Sequence, residues 1–311
     1  MLISILFLLV GFVILIKGAD FLIDGASSFA KKMSISEIAI GLTIVAFGTS
    51  APELIVNVFA SIGGHHEITF GNILGSNIFN ILMVLGISGI ISTIMVQRNT
   101  ILKEIPFLLA ATLLVFGLSL WNSDLSFVDG IILILFLIIF FVYVIVFLKA
   151  KPLLGSDIKE RTYFMIIVMI TAGVTGLFFG GKFVVDNAVI MARHFNVSEK
   201  FIGLTIVALG TSLPELVTSV MAISKGRNDL AIGNVIGSNL FNILLVLGVS
   251  SLISPVHYDV TLNIDFIFLC LITLMLFLSM FTGKKHRLTK GEAITFVFLY
   301  FAYLVFLFIR K

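Results

Sequence analysis

Charge is scarce in this chain. Asp, Glu, Lys and Arg make up 12% of its 311 residues against 59% hydrophobic, which excludes an ordinary water-soluble globular protein. Cysteine occurs once, at Cys270, so an internal disulfide and every multi-cysteine metal or iron–sulfur site are excluded. No GxGxxG or GxxxxGKS/T pattern is present, and nucleotide binding or ATP drive has no sequence support. The five histidines, His65, His66, His194, His257 and His286, lie in or near loops, which leaves a membrane-embedded hydrolase built on Ser50 or Ser212 without a base. Basic residues form no continuous face despite a net charge of +3, so no nucleic-acid platform is expected. The opening stretch MLISILFLLVGFVILIKG lacks the basic n-region and small-residue cleavage site of a secretory signal. It reads as a first membrane span, with the mature chain starting at Met1.

What is present is a series of apolar stretches, each roughly the 20 residues that cross a hydrocarbon core. Ten spans are expected, near 2–28, 36–61, 68–94, 104–121, 127–148, 163–191, 199–223, 230–253, 262–282 and 291–309. Outside them, fourteen Lys and Arg fall in the odd-numbered loops and four, Arg193, Lys200, Arg310 and Lys311, on the other side. The positive-inside rule then makes the odd loops cytoplasmic and both termini extracellular, in a multi-pass protein of the cell membrane.

The chain repeats itself. GLTIVAFGTSAPE (41–53) and GLTIVALGTSLPE (203–215) differ at two of thirteen positions, at an offset of 203 − 41 = 162. The same offset carries GNILGSNIFNILMVLGIS (71–88) onto GNVIGSNLFNILLVLGVS (233–250), Asp24 onto Asp186, and SISE (34–37) onto NVSE (196–199). With five spans per half, an odd number, the second copy enters the membrane from the opposite face. The expected fold class is an all-α polytopic membrane protein with ten transmembrane helices as two inverted five-helix repeats. The first repeat is 1–148, a cytoplasmic linker 149–162, and the second repeat 163–311. Inverted repeats are typical of secondary transporters, whose binding site lies near the midplane between the copies.

Pro52 and Pro214 lack the N–H that would bond the carbonyls of Gly48 and Gly210, so each predicts a kink or a short unwound segment. Freed carbonyls at membrane depth are tolerated where they line a polar cavity, which offers backbone oxygens near Ala46 to Thr49 and Ala208 to Thr211. Glu53 and Glu215 follow the prolines and are the only acidic residues in the middle of any span. A buried carboxylate must be neutralised by a proton, a base or a metal ion. The structural alternative is an ion pair with Lys17 or Lys182, but these two do not match under the offset whereas the glutamates do. Thr49 and Ser50, with Thr211 and Ser212, surround the glutamates with hydroxyls. Ser76 with Asn80, and Ser238 with Asn242, share a helix face at a spacing of four. Hydroxyl, amide, carbonyl and carboxylate oxygens suit hard cations such as sodium and calcium rather than zinc or copper.

Elsewhere the readings are structural. Ser34 and Asn196 are expected to cap the second helix of each half, with Glu37 and Glu199 reaching back. Asp24 and Asp186 are expected at solvated helix ends. Gly41, Gly48, Gly71, Gly75, Gly203, Gly210, Gly233 and Gly237 are read mainly as close-packing positions between helices.

The paired motifs GTSAPE with GNILGSNIFN, and GTSLPE with GNVIGSNLFN, resemble the two alpha-repeats of the cation/calcium antiporter superfamily, in its prokaryotic sodium/calcium exchanger branch. The resemblance covers the whole ten-span layout. It implies that the second and third helices of each half enclose a row of cation sites, and that the first helix of each half slides or tilts across that core. Carried over, it makes Glu53 and Glu215 shared carboxylate ligands of calcium and sodium. Thr49, Ser50, Ser76, Thr211, Ser212, Ser238 and the carbonyls of Ala46 and Ala208 match further coordinating positions. Some relatives have aspartate where this chain has Asn80 or Asn242; both being neutral here weakens the case for potassium dependence.

The expected function is therefore sodium/calcium exchange by a monomeric, non-enzymatic carrier in the lipid bilayer, with Na+ and Ca2+ as substrates and no cofactor. The alternatives are a proton/calcium or potassium-dependent antiporter on the same scaffold, and a passive cation channel.

Overall fold

The computed structural model describes residues 2–63, 66–122, 124–148, 160–195, 208–282 and 285–310. Long helices dominate them: α1 (Leu2–Met33), the pair α2 (Glu37–Thr49) and α3 (Ala51–Ile62), α4 (Thr69–Ile91), α5 (Thr100–Trp121), α6 (Phe127–Phe147), α7 (Tyr163–His194), α8 (Leu213–Ser224), α9 (Asn228–Ile253), α10 (Val260–Ser279) and α11 (Lys290–Ile309). Among the described residues eight helices are long and apolar enough to cross a membrane, and nine if α2 and α3, bent by 49°, count as one span. α8 is shorter, and the expected start of its span at 199 lies outside the described residues. So do Asn196, Glu199, Lys200, Gly203, His65 and linker residues 149–159.

Polarity in this bundle runs inside out. α4 and the first half of α9 are buried almost all round, although they carry Asn77, Asn80, Asn234, Asn239 and Asn242. The peripheral helices instead turn Leu6, Ile145, Phe164 and Phe298 outward, as a hydrocarbon solvent requires. α4 and α9 each contain a π-helical turn, Asn80–Val84 and Phe241–Val246. Such turns are rare and cluster at functional sites; here they fall on Asn80 and Asn242.

Glycine sets the closest approaches. A Cβ added at Gly41 would come within 2.8 Å of the Leu230 carbonyl oxygen and 3.0 Å of the Gly233 Cα, so α2 and α9 touch backbone to backbone. α1 lies on α7 in the same way, with a Cβ at Gly173 only 2.6 Å from the Leu22 backbone nitrogen.

Two small antiparallel bridges join residues far apart in the chain. β1 (Ile94–Met95), after α4, pairs with β4 (Arg287–Leu288), before α11. β2 (Asp124–Leu125), between α5 and α6, pairs with β3 (Val256–His257), after α9. Val96 N–H extends the first bridge by donating to the His286 carbonyl at 3.0 Å.

Several polar contacts escape local reading. Ser36, not Ser34, caps α2, its Oγ accepting from Ala39 N–H; Ser34 has φ 53° and lies in the preceding turn. Glu37 is then the first helical residue, too early to close a capping box, and its buried carboxylate pairs with Arg227 at 3.0 Å. Asp24 is not simply solvated: Lys225 bridges Asp20 at 2.5 Å and Asp24 at 2.6 Å, tying α1 to the end of α8. Burial opposes the Lys225 charge, but the two carboxylates outweigh it and hold the ammonium pKa above its ordinary value. Under the 162-residue offset the mirror of Lys225 is Gly63, which has no side chain, and Asp186 pairs inside its own helix with Lys182 at 2.9 Å. Tyrosine–carboxylate bonds fasten α5 to α6 through Tyr143 and Glu104, and α10 to α11 through Tyr303 and Asp265. Arg310 also holds Asp265, at 2.9 Å.

Candidate cation site at the centre of the bundle

α2 ends at Ser50 (φ −84°, ψ 5°) and α3 restarts with Pro52 in its opening residues. Proline suits a first turn, where its missing N–H is not needed, and it delivers Glu53 into that turn. Ser212 (φ −91°, ψ 5°) does the same before α8, with Pro214 and Glu215. The predicted break is thus present in both copies. Ala46 stays within the helix: its carbonyl accepts from Ser50 N–H at 2.9 Å, with Thr49 Oγ1 3.2 Å away. Ala208 lies in the helical segment Ala208–Gly210.

Glu53 and Glu215 are completely buried. Each is held by a serine of the other copy: Ser212 Oγ donates to Glu53 Oε1 at 3.3 Å, and Ser50 Oγ donates to Glu215 Oε1 at 3.0 Å. The hydroxyl of Thr211 also lies against Glu53, and those of Thr49 and Ser238 against Glu215. Thr49 Oγ1 further reaches Asn234 Oδ1 at 3.0 Å and Ser238 Oγ at 3.1 Å. The other carboxylate oxygens, Glu53 Oε2 and Glu215 Oε2, have no hydrogen-bond partner, and neither do Ser76 Oγ, Asn80 Oδ1 and Asn242 Oδ1. Buried polar atoms are normally paired, so each of these orphaned acceptors is open to an electropositive partner.

A lysine does not fill it. Among the described residues no ion pair reaches Glu53 or Glu215; Lys182 is engaged by Asp186 and Lys17 is exposed. The described residues contain no group of three or more His, Cys, Asp or Glu able to hold a metal. The donors here are two carboxylates plus neutral oxygens, a set suited to hard cations.

Sequence reasoning missed four members of this centre. Asn77 and Asn239 donate to one another's backbone carbonyls at 3.3 Å. Asn234 accepts from Thr49 and donates to Ser219 Oγ at 2.9 Å and to the Glu215 carbonyl at 3.4 Å. Asn77 and Asn239 stood inside the quoted repeats, one residue after Ser76 and Ser238, and match under the offset. That coincidence is the signal the sequence offers.

Comparison with known proteins adds the family and the overall fold. The family described as "Sodium/calcium exchanger protein" matches residues 3–146 and 165–309. CaxA of Alkalimonas amylolytica is 39% identical over 98% of this chain and 99% of that protein. The sodium/calcium exchanger MaX1 of Methanosarcina acetivorans is 30% identical over 98% of this chain and 99% of its own length. A solved structure of the sodium-calcium exchanger NCX_Mj, soaked with Na+ and Ca2+, superposes with a TM-score of 0.85 at 31% identity, covering 97% of this chain and 98% of that one.

Proposed function

The chain belongs to the sodium/calcium exchanger family, and on that premise we propose that it exchanges Na+ for Ca2+ across the cell membrane by alternating access. The cations would bind at the midplane between two inverted five-helix repeats, 1–148 and 163–311, joined by the linker 149–162. The reading takes ten spans, both termini extracellular and a monomeric working unit. The observation that carries it is the pair of buried glutamates, each with one oxygen fixed by a serine of the other half and one oxygen left open.

The ligand set of this reading is the one the family resemblance implies, and the contacts of the two glutamates support its centre. Glu53 and Glu215 supply the charge. Thr49, Ser50, Ser76, Thr211, Ser212, Ser238, Asn80 and Asn242, with the carbonyls of Ala46 and Ala208, supply neutral oxygens. Two carboxylates contribute a charge of about −2, which one calcium ion neutralises in a low-dielectric interior where an unpaired carboxylate is costly. Sodium ions using the same oxygens exclude calcium, and that competition couples the two fluxes. An empty carrier keeps two uncompensated charges and resists occlusion. Sliding of α1 and α7 over the core is supported by their mutual glycine contacts and their broad outward-facing apolar surfaces. At the end assigned to the cytoplasm, α1 could move only by releasing Lys225.

The test is radiolabelled calcium uptake into sodium-loaded proteoliposomes, diluted into media with and without sodium, at clamped pH with a proton ionophore present. Uptake that requires the outward sodium gradient is the expected result. Uptake indifferent to sodium but driven by a pH gradient, once the ionophore is left out, would replace sodium with protons as the counter-ion. Flux with no counter-ion would make the protein a channel.

A further inference from the structure

We infer that Asn77 and Asn239 are positioning residues that lock the amides of Asn80 and Asn242 with their oxygens toward the bound cations. The inference rests on the exchange reading and adds to it the device that sets the polarity of the two neutral amide ligands.

An amide side chain can face either way, and its orientation is decided by its partners. Here the decision begins at a backbone atom. The carbonyl of Asn239 can only accept, so the group of Asn77 facing it at 3.3 Å is the NH2, which turns Asn77 Oδ1 toward Asn242. That oxygen can only accept, so Asn242 must offer it an N–H, at 3.1 Å. Asn242 Oδ1 is thereby pointed away and is left buried without a protein partner. The mirror chain runs from the Asn77 carbonyl to Asn239 Nδ2 at 3.3 Å, then from Asn239 Oδ1 to Asn80 Nδ2 at 3.0 Å, and leaves Asn80 Oδ1 equally alone. Both chains exist because 77 + 162 = 239 and 80 + 162 = 242.

The partners are crossed between the halves. Asn77 of α4 orients Asn242 of α9, and Asn239 of α9 orients Asn80 of α4. The two ligating amides sit on the π-helical turns, and the crossed bonds fix their side chains. They also account for neutral residues at both positions: an ionised aspartate at 80 or 242 has no N–H to give and would set two acceptors face to face.

The test is a pair of double-mutant cycles read by equilibrium calcium binding to the purified protein, with melting temperature in chelator as the control for folding. Asn77→Ala should weaken calcium binding about tenfold or more, the scale of outer-sphere partners of metal ligands. In an Asn242→Ala background the same change should add no more than about twofold, because coupled positions are not additive. In an Asn80→Ala background it should keep its full effect, and Asn239→Ala should show the reverse preference. Additive effects in every background, or equal coupling to both ligands, overturn the inference while leaving the exchange reading intact. Wild-type protein that binds neither calcium nor sodium overturns that reading and the inference with it. If Asn77→Ala lowers the chelator melting temperature too far to measure, Asn77→Ser, which keeps an acceptor toward Asn242, serves in the same cycles with a smaller effect and the same pattern.

Discussion

Replacing Lys225 by methionine tests how α1 is restrained. The methionine keeps much of the apolar stem and removes only the charge. Lys225 is 28% exposed, Asp20 36% and Asp24 41%, so the two ion pairs are partly screened by solvent. Pairs at such exposure are each worth about 0.2–1 kcal/mol, and together they bias α1 toward the tied position by roughly 0.5–2 kcal/mol, about 2- to 30-fold in population. Hydrogen exchange over residues 20–33 of the cation-free protein reads that population directly. Rates in Lys225→Met should rise by the same factor, Lys225→Arg should stay near wild type, and high salt should narrow the difference. The pH dependence has a defined sign. Because the folded pKa of Lys225 is raised, its stabilisation is fully present below the unfolded value, about 10.4, and is lost as pH climbs through the folded one. The tie is therefore intact at neutral pH, and strongly alkaline buffer should mimic the methionine variant. Exchange at the wild-type rate in Lys225→Met would refute the reasoning.

Two further outcomes follow from buried carboxylates. In chelator, Glu53→Gln and Glu215→Gln should melt above wild type, since each replaces a buried charge that has an unpartnered oxygen with a neutral amide. Calcium should raise the wild-type melting temperature and leave both variants unmoved; a calcium-induced rise in both sinks their assignment as ligands. Tyr143→Phe removes the hydroxyl that donates to Glu104 Oε1 and leaves the carboxylate the Thr100 hydroxyl, with its other oxygen already unpaired, at a cost of about 1–3 kcal/mol. Tyr303→Phe should cost less, because Arg310 still holds Asp265. Thermal unfolding of the two variants in one detergent compares them, and equal losses would contradict the asymmetry.

Much of this architecture could be read before folding. Span positions came from apolar length, the bend at Ser50 from Pro52, and the paired glutamates from a repeat that puts a carboxylate where hydrocarbon tolerates none. The structure extends some helices past their expected ends, α1 to Met33 among them, because Lys31 and Lys32 favour the negative end of the helix dipole. What could not be read were partners on other helices. Ser50 and Glu215 are separated by 165 residues, Ser212 and Glu53 by 159, and periodicity reports only on neighbours within one helix. Glu37 shows the same limit: its local pattern suits a cap, whereas its partner Arg227 lies 190 residues away.

The two strand bridges constrain how such a molecule can open. One lies at each end of the bundle, fastening the loop after α4 to that before α11, and the loop between α5 and α6 to that after α9. A body riveted top and bottom does not hinge apart like a jaw. α1 and α7 take no part in either rivet, so under the exchange reading proposed above the frame stays rigid while they act as a shutter on its flank. The aperture is then set by how far a helix slides, which favours small ions stripped of most of their water over bulky solutes.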